Sequence, residues 1–309
     1  MIQTVLGEIS KDELGIVLPH EHILVGFIED GKLTKDDYDR EEVIRIMLPY
    51  LKQLAAAGCR TLAECTPEFL GRDPQLLAEL SRLSGLHIIT NTGYYQVPFL
   101  APFVYDMSPE DLACIWIKEA LEGIGDSGIK PGFVKIALSN KNGRIAPIQQ
   151  TILKAALLTS NETGLPIQAH TVGGETIMHA LEIMSEASFE TSRFIWVHAD
   201  TEPDLEYHKK AAMAGIWIEV DSIGYRPYEE HYEMLKKLID LDLLDQLLIS
   251  QDAGWYNIGA KDGGSIKPFT SILEGFAPLL RERGIAQSII DKLMIVNPAR
   301  AFDNRSNKL

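Results

Sequence analysis

Eight times along the chain a short apolar run rich in β-branched residues gives way to a stretch with helical periodicity, and this alternation restricts the fold more than any other feature. The predicted strands are 16–22, 59–65, 86–91, 132–138, 165–169, 194–197, 216–220 and 247–250. Predicted helices follow them over 41–57, 73–83, 112–124, 147–162, 175–186, 203–214, 228–241 and 268–283, with a short one over 286–294 at the end. Asp73-Pro74 and Ser108-Pro109-Glu110 read as helix starts, and Gly58 reads as a stop. Eight βα units in 309 residues, with no shift in composition and no Pro/Gly/Ser linker, predict an α/β fold. That fold is a single (β/α)8 TIM barrel domain over 1–309, with its active site at the carboxyl ends of the strands. An open doubly wound sheet alternates in the same way, but its glycine-rich turn after the first strand is replaced here by Pro19-His20-Glu21-His22.

Composition narrows the partners. A net charge of −15, with no local run of Lys and Arg, argues against nucleic acid. The three cysteines form no Cys-x-x-Cys pair, which suits a reducing compartment. Residues 1–14 carry Glu8, Asp12 and Glu13 and lack the order of a signal peptide, and no apolar stretch approaches the roughly 20 residues of a membrane span. The expectation is a cytoplasmic protein that acts on a small molecule, away from any membrane.

The chemistry collects at strand ends. Alternation in an extended strand puts His20 and His22 on one face and Glu21 on the other, and two imidazoles on one face are half a metal site. His170 ends strand five, His198 ends strand six, Asp252 follows strand eight, and Lys135 lies within strand four. A lone histidine at a strand end is usually only a satisfied polar residue. Four of the eight histidines converging on one barrel mouth are expected to bind metal, leaving His87, His179, His208 and His231 as structural or solvent-facing. Lys135, inside the apolar run Phe133-Val134-Lys135-Ile136-Ala137, would bury an ammonium at real cost unless it is ion-paired, snorkelling or chemically altered. As a carbamate formed with carbon dioxide, it would offer an anionic oxygen to each of two metals.

These motifs, with Thr4-Val5-Leu6-Gly7, Leu18-Pro19-His20-Glu21-His22, Gly71-Arg72-Asp73, Trp196-Val197-His198-Ala199-Asp200 and Asn297-Pro298-Ala299-Arg300, resemble the phosphotriesterase family of the amidohydrolase superfamily, nearly end to end. The resemblance implies a binuclear centre. His20, His22 and Asp252 would hold the more buried ion, His170 and His198 the more exposed one, and carbamylated Lys135 and a hydroxide would bridge them. Nitrogen and oxygen ligands suit two divalent ions, zinc first, with manganese, cobalt or iron as alternatives. Two cations about 3.5 to 4 Å apart would generate the nucleophile, and Asp252 would move its proton. Homodimers are common among such proteins, and the apolar loop 97–104 could be an interface or a cover for the site.

Several members of this family are lactonases. Tyr95, in Gly93-Tyr94-Tyr95-Gln96, matches their tyrosine and is a catalytic and substrate-binding candidate. Arg226 after strand seven and Lys267 before the last long helix lie where barrels often bind phosphate, and Lys141 and Arg144 could join them. They suggest a polar sugar lactone, with or without a phosphate, as substrate. Trp255, Phe99, Phe103 and Tyr105 would instead favour an acyl-homoserine lactone, and the same centre could cleave phosphotriesters. Glu64, Cys65, Glu219 and Asp221 are expected to fill barrel layers or orient ligands. A barrel that binds without turnover would be expected to lack part of the ligand set, and all six positions are filled.

Overall fold

The computed structural model describes residues 1–303, with the side chain of Lys141 excepted, so the role suggested for Lys141 lies outside the described residues. The barrel strands are β1 (Ile16–Val25), β2 (Cys59–Glu64), β3 in two pieces (His87–Ile89 and Asn91–Thr92), β4 (Phe133–Ala137), β5 (Ile167–His170), β6 (Phe194–Val197), β7 (Trp217–Val220) and β8 in two pieces (Leu247–Ile249 and Gly254–Asn257). Neighbours pair in parallel in chain order, as a TIM barrel requires. The ladders form one six-stranded and one four-stranded sheet that share β3 and β8, each of which is broken once. At the β8 break, the Asp252 amide donates to the His20 carbonyl at 3.2 Å and the His22 amide to the Ala253 carbonyl at 2.9 Å. At the β3 break, Gly132 donates to the Thr90 carbonyl at 2.8 Å. These bonds join the two sheets into a ring.

Around the ring run α1 (Arg40–Ala56), α2 (Pro74–Ser84), α3 (Pro109–Glu122), α4 (Pro147–Thr163), α5 (Gly174–Glu186), α6 (Leu205–Met213), α7 (Tyr228–Asp240) and α8 (Ala277–Glu282). Side chains of Asp39, Asp73 and Ser108 accept amide hydrogens of the first turns of α1, α2 and α3, and so fix where those helices begin. In α1 the fully buried Val43, Met47, Leu51 and Leu54 recur at helical spacing and pack on the strands. Each such side chain contributes roughly 1.5–3 kcal/mol by leaving water.

Three of the boundary differences from the sequence-based expectation bear on the site and the helix that follows it. β1 runs three residues beyond His22, because Ile23, Leu24 and Val25 continue the buried apolar run. β8 stops at Ile249 and resumes at Gly254, leaving Asp252 in the gap. The last long helix starts at Ser271 rather than Pro268, as a wider π turn over Ser271–Phe276 that leads into α8.

The amino ends of the strands are closed by an apolar plug. Val17, Ile89, Phe133, Ile195 and Leu248 meet Ile2 of an amino-terminal hairpin and the carboxyl-terminal Phe302. The Phe133 and Phe302 rings cross edge to face at 5.8 Å. The opposite end carries the chemistry.

Candidate metal centre

On β1, His20 and His22 point into the barrel mouth with their Nε2 atoms 3.3 Å apart. Asp252 Oδ1 lies 3.2 Å from Nε2 of His22 and 3.7 Å from Nε2 of His20, so these three residues form a group that could hold a metal ion. Nδ1 of His22 sits 2.8 Å from Thr66 Oγ1, a bond that leaves Nε2 as the free lone pair. Nδ1 of His20 faces Glu219 and Asp221 carboxylate oxygens, each at 3.5 Å. Burial pushes the His20 and His170 imidazoles well below the ordinary histidine range and lowers that of His22, which favours the neutral form that ligates.

Lys135, in the middle of β4, is 2% exposed, and its Nζ has no hydrogen-bond partner. A buried ammonium left in that state costs several kcal/mol. The snorkelling alternative does not fit the burial, and the ion-pair alternative does not fit the unpartnered nitrogen. The loop after β3 presses against this residue, since a Cβ at Gly93, whose φ is +114°, would collide with the Lys135 carbonyl.

His170 at the end of β5 and His198 just past β6 stand edge to face with centroids 4.4 Å apart. Asp221 holds His198 twice, accepting from its amide at 2.9 Å and facing its Nδ1 at 2.7 Å. Burial alone would lower the His198 imidazole, but Asp221 outweighs it and holds the group above its ordinary value. The Tyr95 hydroxyl lies 3.3 Å from Nδ1 of His170, and burial pushes its phenol up, keeping it protonated.

All six predicted ligands line one cavity at the mouth, together with Tyr95, Cys65, Thr66 and an apolar rim that includes Val25, Phe27, Leu70 and Trp255. Asp252 Oδ1 is buried there beside the two imidazoles. His198, Asp252 and Trp255 all have positive φ, the kind of backbone strain that persists when surrounding contacts enforce it. Glu219 is fully buried with neither oxygen bonded, and burial, reinforced by Asp221, raises its carboxyl well above the usual range. Glu64 accepts from the amides of Ile23 and Thr66, which shapes β1 beside the ligands.

Other predicted residues are placed elsewhere. Arg226 reaches toward Asp200 at 3.5 Å and Glu230 at 3.9 Å, in a separate cleft between α6 and α7. The Lys267 ammonium bonds the carbonyls of Ile223 and Gln251 and lies 3.4 Å from the Tyr225 ring centroid. Arg144 packs on His179 and Glu182. His179, His208 and His231 are buried rather than facing solvent. Phe103 packs against Phe69 and Tyr94, while Phe99 and Trp255 flank the mouth. Phe27 and Thr66 escaped the sequence reading. The apolar run past His22 was the available signal for Phe27.

The family model described as "Phosphotriesterase family" matches residues 1–302. The chain is 28% identical over 299 residues to the phosphotriesterase homology protein of Escherichia coli strain K12, covering 95% of this chain and 99% of that one. It is 25% identical over 309 residues to the aryldialkylphosphatase of Saccharolobus solfataricus, covering 95% and 96%. Among solved structures, a mutant of a phosphotriesterase-like lactonase from Deinococcus radiodurans superposes with a TM-score of 0.88 at 28% identity, over 98% of this chain and 100% of that one.

Proposed function

Because the chain belongs to the phosphotriesterase family and is a metal-dependent hydrolase, we propose that it is a lactonase with a binuclear divalent-metal centre. The observation that carries the proposal is the unpartnered, buried Lys135 Nζ within the cavity that His20, His22, His170, His198 and Asp252 also line. A carbamate on Lys135 removes the buried cation and adds the anionic oxygens that two divalent ions need. Zinc is the first expectation, with manganese, cobalt or iron as alternatives. When bound, the ions supply Lewis acidity toward a carbonyl oxygen and lower the pKa of water.

The chain's own groups do the rest. Asp252, which lines the cavity, takes the proton released at attack and returns it to the leaving alkoxide. Tyr95 stays protonated and positions the lactone beside His170. Thr66 and Asp221 hold the His22 and His198 rings in their ligating orientation.

The rim favours a lactone with an apolar substituent. Phe27 stacks near Trp255 at 6.0 Å and meets Phe99 at 5.3 Å, and Tyr95 lies 6.3 Å from Phe99. Arg226, Lys267 and Arg144, which suggested a phosphorylated sugar lactone, are engaged elsewhere, so the acyl lactone becomes the preferred substrate. Phosphotriester hydrolysis is the second reading, favoured by the same neutral, aromatic rim. The test is to purify the protein with bicarbonate and zinc or manganese, count metals per chain, and assay acyl lactones, sugar lactones with and without phosphate, and an aryl dialkyl phosphate. Two metals with preference for acyl lactones support the proposal. Turnover confined to phosphorylated lactones overturns the substrate assignment, and fewer than two metals with no turnover overturns the centre.

The same reading makes the protein a cytoplasmic homodimer, supported by free cysteines at 59, 65 and 114 and by exposed Val97, Phe103 and Tyr105 in and beside the 97–104 loop. Sedimentation of a loop-truncated variant tests the dimer.

A further inference from the structure

Segment 250–253 interrupts β8, and side chains replace part of the ladder that the break removes. The Ser250 amide donates to the Val220 carbonyl at 3.0 Å and the Asp252 amide to the His20 carbonyl at 3.2 Å. The two amides that flank Asp252 go instead to one carboxylate, Gln251 to Glu21 Oε1 at 3.3 Å and Ala253 to Glu21 Oε2 at 2.6 Å. The Ser250 hydroxyl adds a third bond to Glu21 Oε1 at 2.8 Å. On the carbonyl side, Lys267 Nζ binds Gln251, and the Tyr225 hydroxyl and Trp255 Nε1 bind Asp252 at 2.8 and 2.7 Å.

We propose that Glu21 and Lys267 are positioning residues that clamp the main chain on both sides of Asp252, so that its carboxylate is presented to the ion shared with His20 and His22. The proposal rests on the metal-centre reading above and extends it to residues that line no part of the cavity. Three features converge on it. Asp252 has φ +46°, a left-handed conformation uncommon outside glycine, and the bonds on both sides of it hold the chain there. Glu21 sits between the two ligating histidines on β1 and faces the other way, so one strand supplies two ligands and the brace for the third. Lys267 sends its ammonium to the carbonyls of Ile223 and Gln251 and lies under the Tyr225 ring, whose hydroxyl reaches the Asp252 carbonyl. Gly254 follows at φ +94°, where a Cβ would run into the His22 carbonyl, so the chain leaves the clamp in close contact with β1.

The test is a cobalt(II) titration of metal-stripped protein, followed by visible absorption, with the thermal midpoint of the stripped protein measured alongside. Glu21→Gln is nearly isosteric but sets an NH2 group against one of the two amides. Lys267→Met keeps the stem and removes the donors. Each is expected to weaken one of two cobalt sites by about tenfold, in the range of losses seen for residues that orient ligands, and Lys267→Arg to restore part of that loss. In an Asp252→Asn background neither substitution should weaken cobalt further. Titrations that overlay the wild type, or losses that persist in the Asp252→Asn background, overturn the clamp. If Glu21→Gln does not fold, Lys267→Met and Tyr225→Phe carry the same comparison. A wild type whose titration is unchanged by Asp252→Asn overturns the metal-centre reading itself, and the clamp with it.

Discussion

The floor and the mouth of the barrel are built from the same strands and bury opposite kinds of side chain. On β4 the change takes two residues, from Phe133 in the apolar plug to Lys135 in the cavity. The floor is apolar and its few polar groups are satisfied, the Trp217 indole N–H by the Ser192 carbonyl and the Thr61 hydroxyl by the Leu14 carbonyl. The mouth buries an unpartnered Lys135 Nζ together with charged and ionisable groups that face one another, His20 with Glu219 and Asp221 and His22 with Asp252. Stability and chemistry are thereby separated along the strand axis, and substitutions at the two ends should fail in different assays.

Lys135→Ala should lower turnover by about 10³-fold, on the scale of losing a key electrostatic group, and leave fewer than two metals per chain by elemental analysis. The stripped variant should unfold no earlier than the parent, because a buried, unpaired ammonium has been removed. Activity close to the parent's would refute its role. Phe133→Ala, at the other end of β4, should cost about 3–5 kcal/mol in denaturant unfolding. Its turnover per folded molecule and its metal content should stay at the parent's level, and a specific loss of metal would show that the two ends are coupled.

Asp221→Asn should weaken the ion held by His198 by about 10–100-fold, since it removes the anionic partner of Nδ1. Competition with a chelator measures that shift. Tyr95→Phe is the smallest lesion, removing one hydroxyl near His170 at a cost of about 1 kcal/mol, or about fivefold in kcat/KM. An unchanged kcat/KM would make Tyr95 a packing residue of the rim.

The parts of the molecule legible in the sequence are those governed by local periodicity. Strand period, helix period and capping residues located the eight βα units, and the rule that strand ends face the mouth gathered His20, His22, Lys135, His170, His198 and Asp252. Side-chain direction in the connecting loops is set by tertiary contacts instead. Arg226 and Lys267 are basic residues on loops where barrels often bind phosphate, and in the structure Asp200, Glu230 and main-chain carbonyls engage them. Likewise, Glu21 accepts the amides of Gln251 and Ala253 in the β8 gap across about 230 positions of sequence, a pairing that no local pattern around Asp252 signals.

The two breaks in the ring give the centre a mechanical meaning. His20 and His22 belong to the four-stranded sheet, Lys135 and His170 to the six-stranded sheet with His198 at its rim, and Asp252 to the chain that crosses between them. A pair of ions shared by these residues would act as a rivet across the seam. Loading should therefore slow amide exchange most at 250–253 and around Thr90, where the ladders are interrupted, and the stripped barrel should begin to open along those same lines.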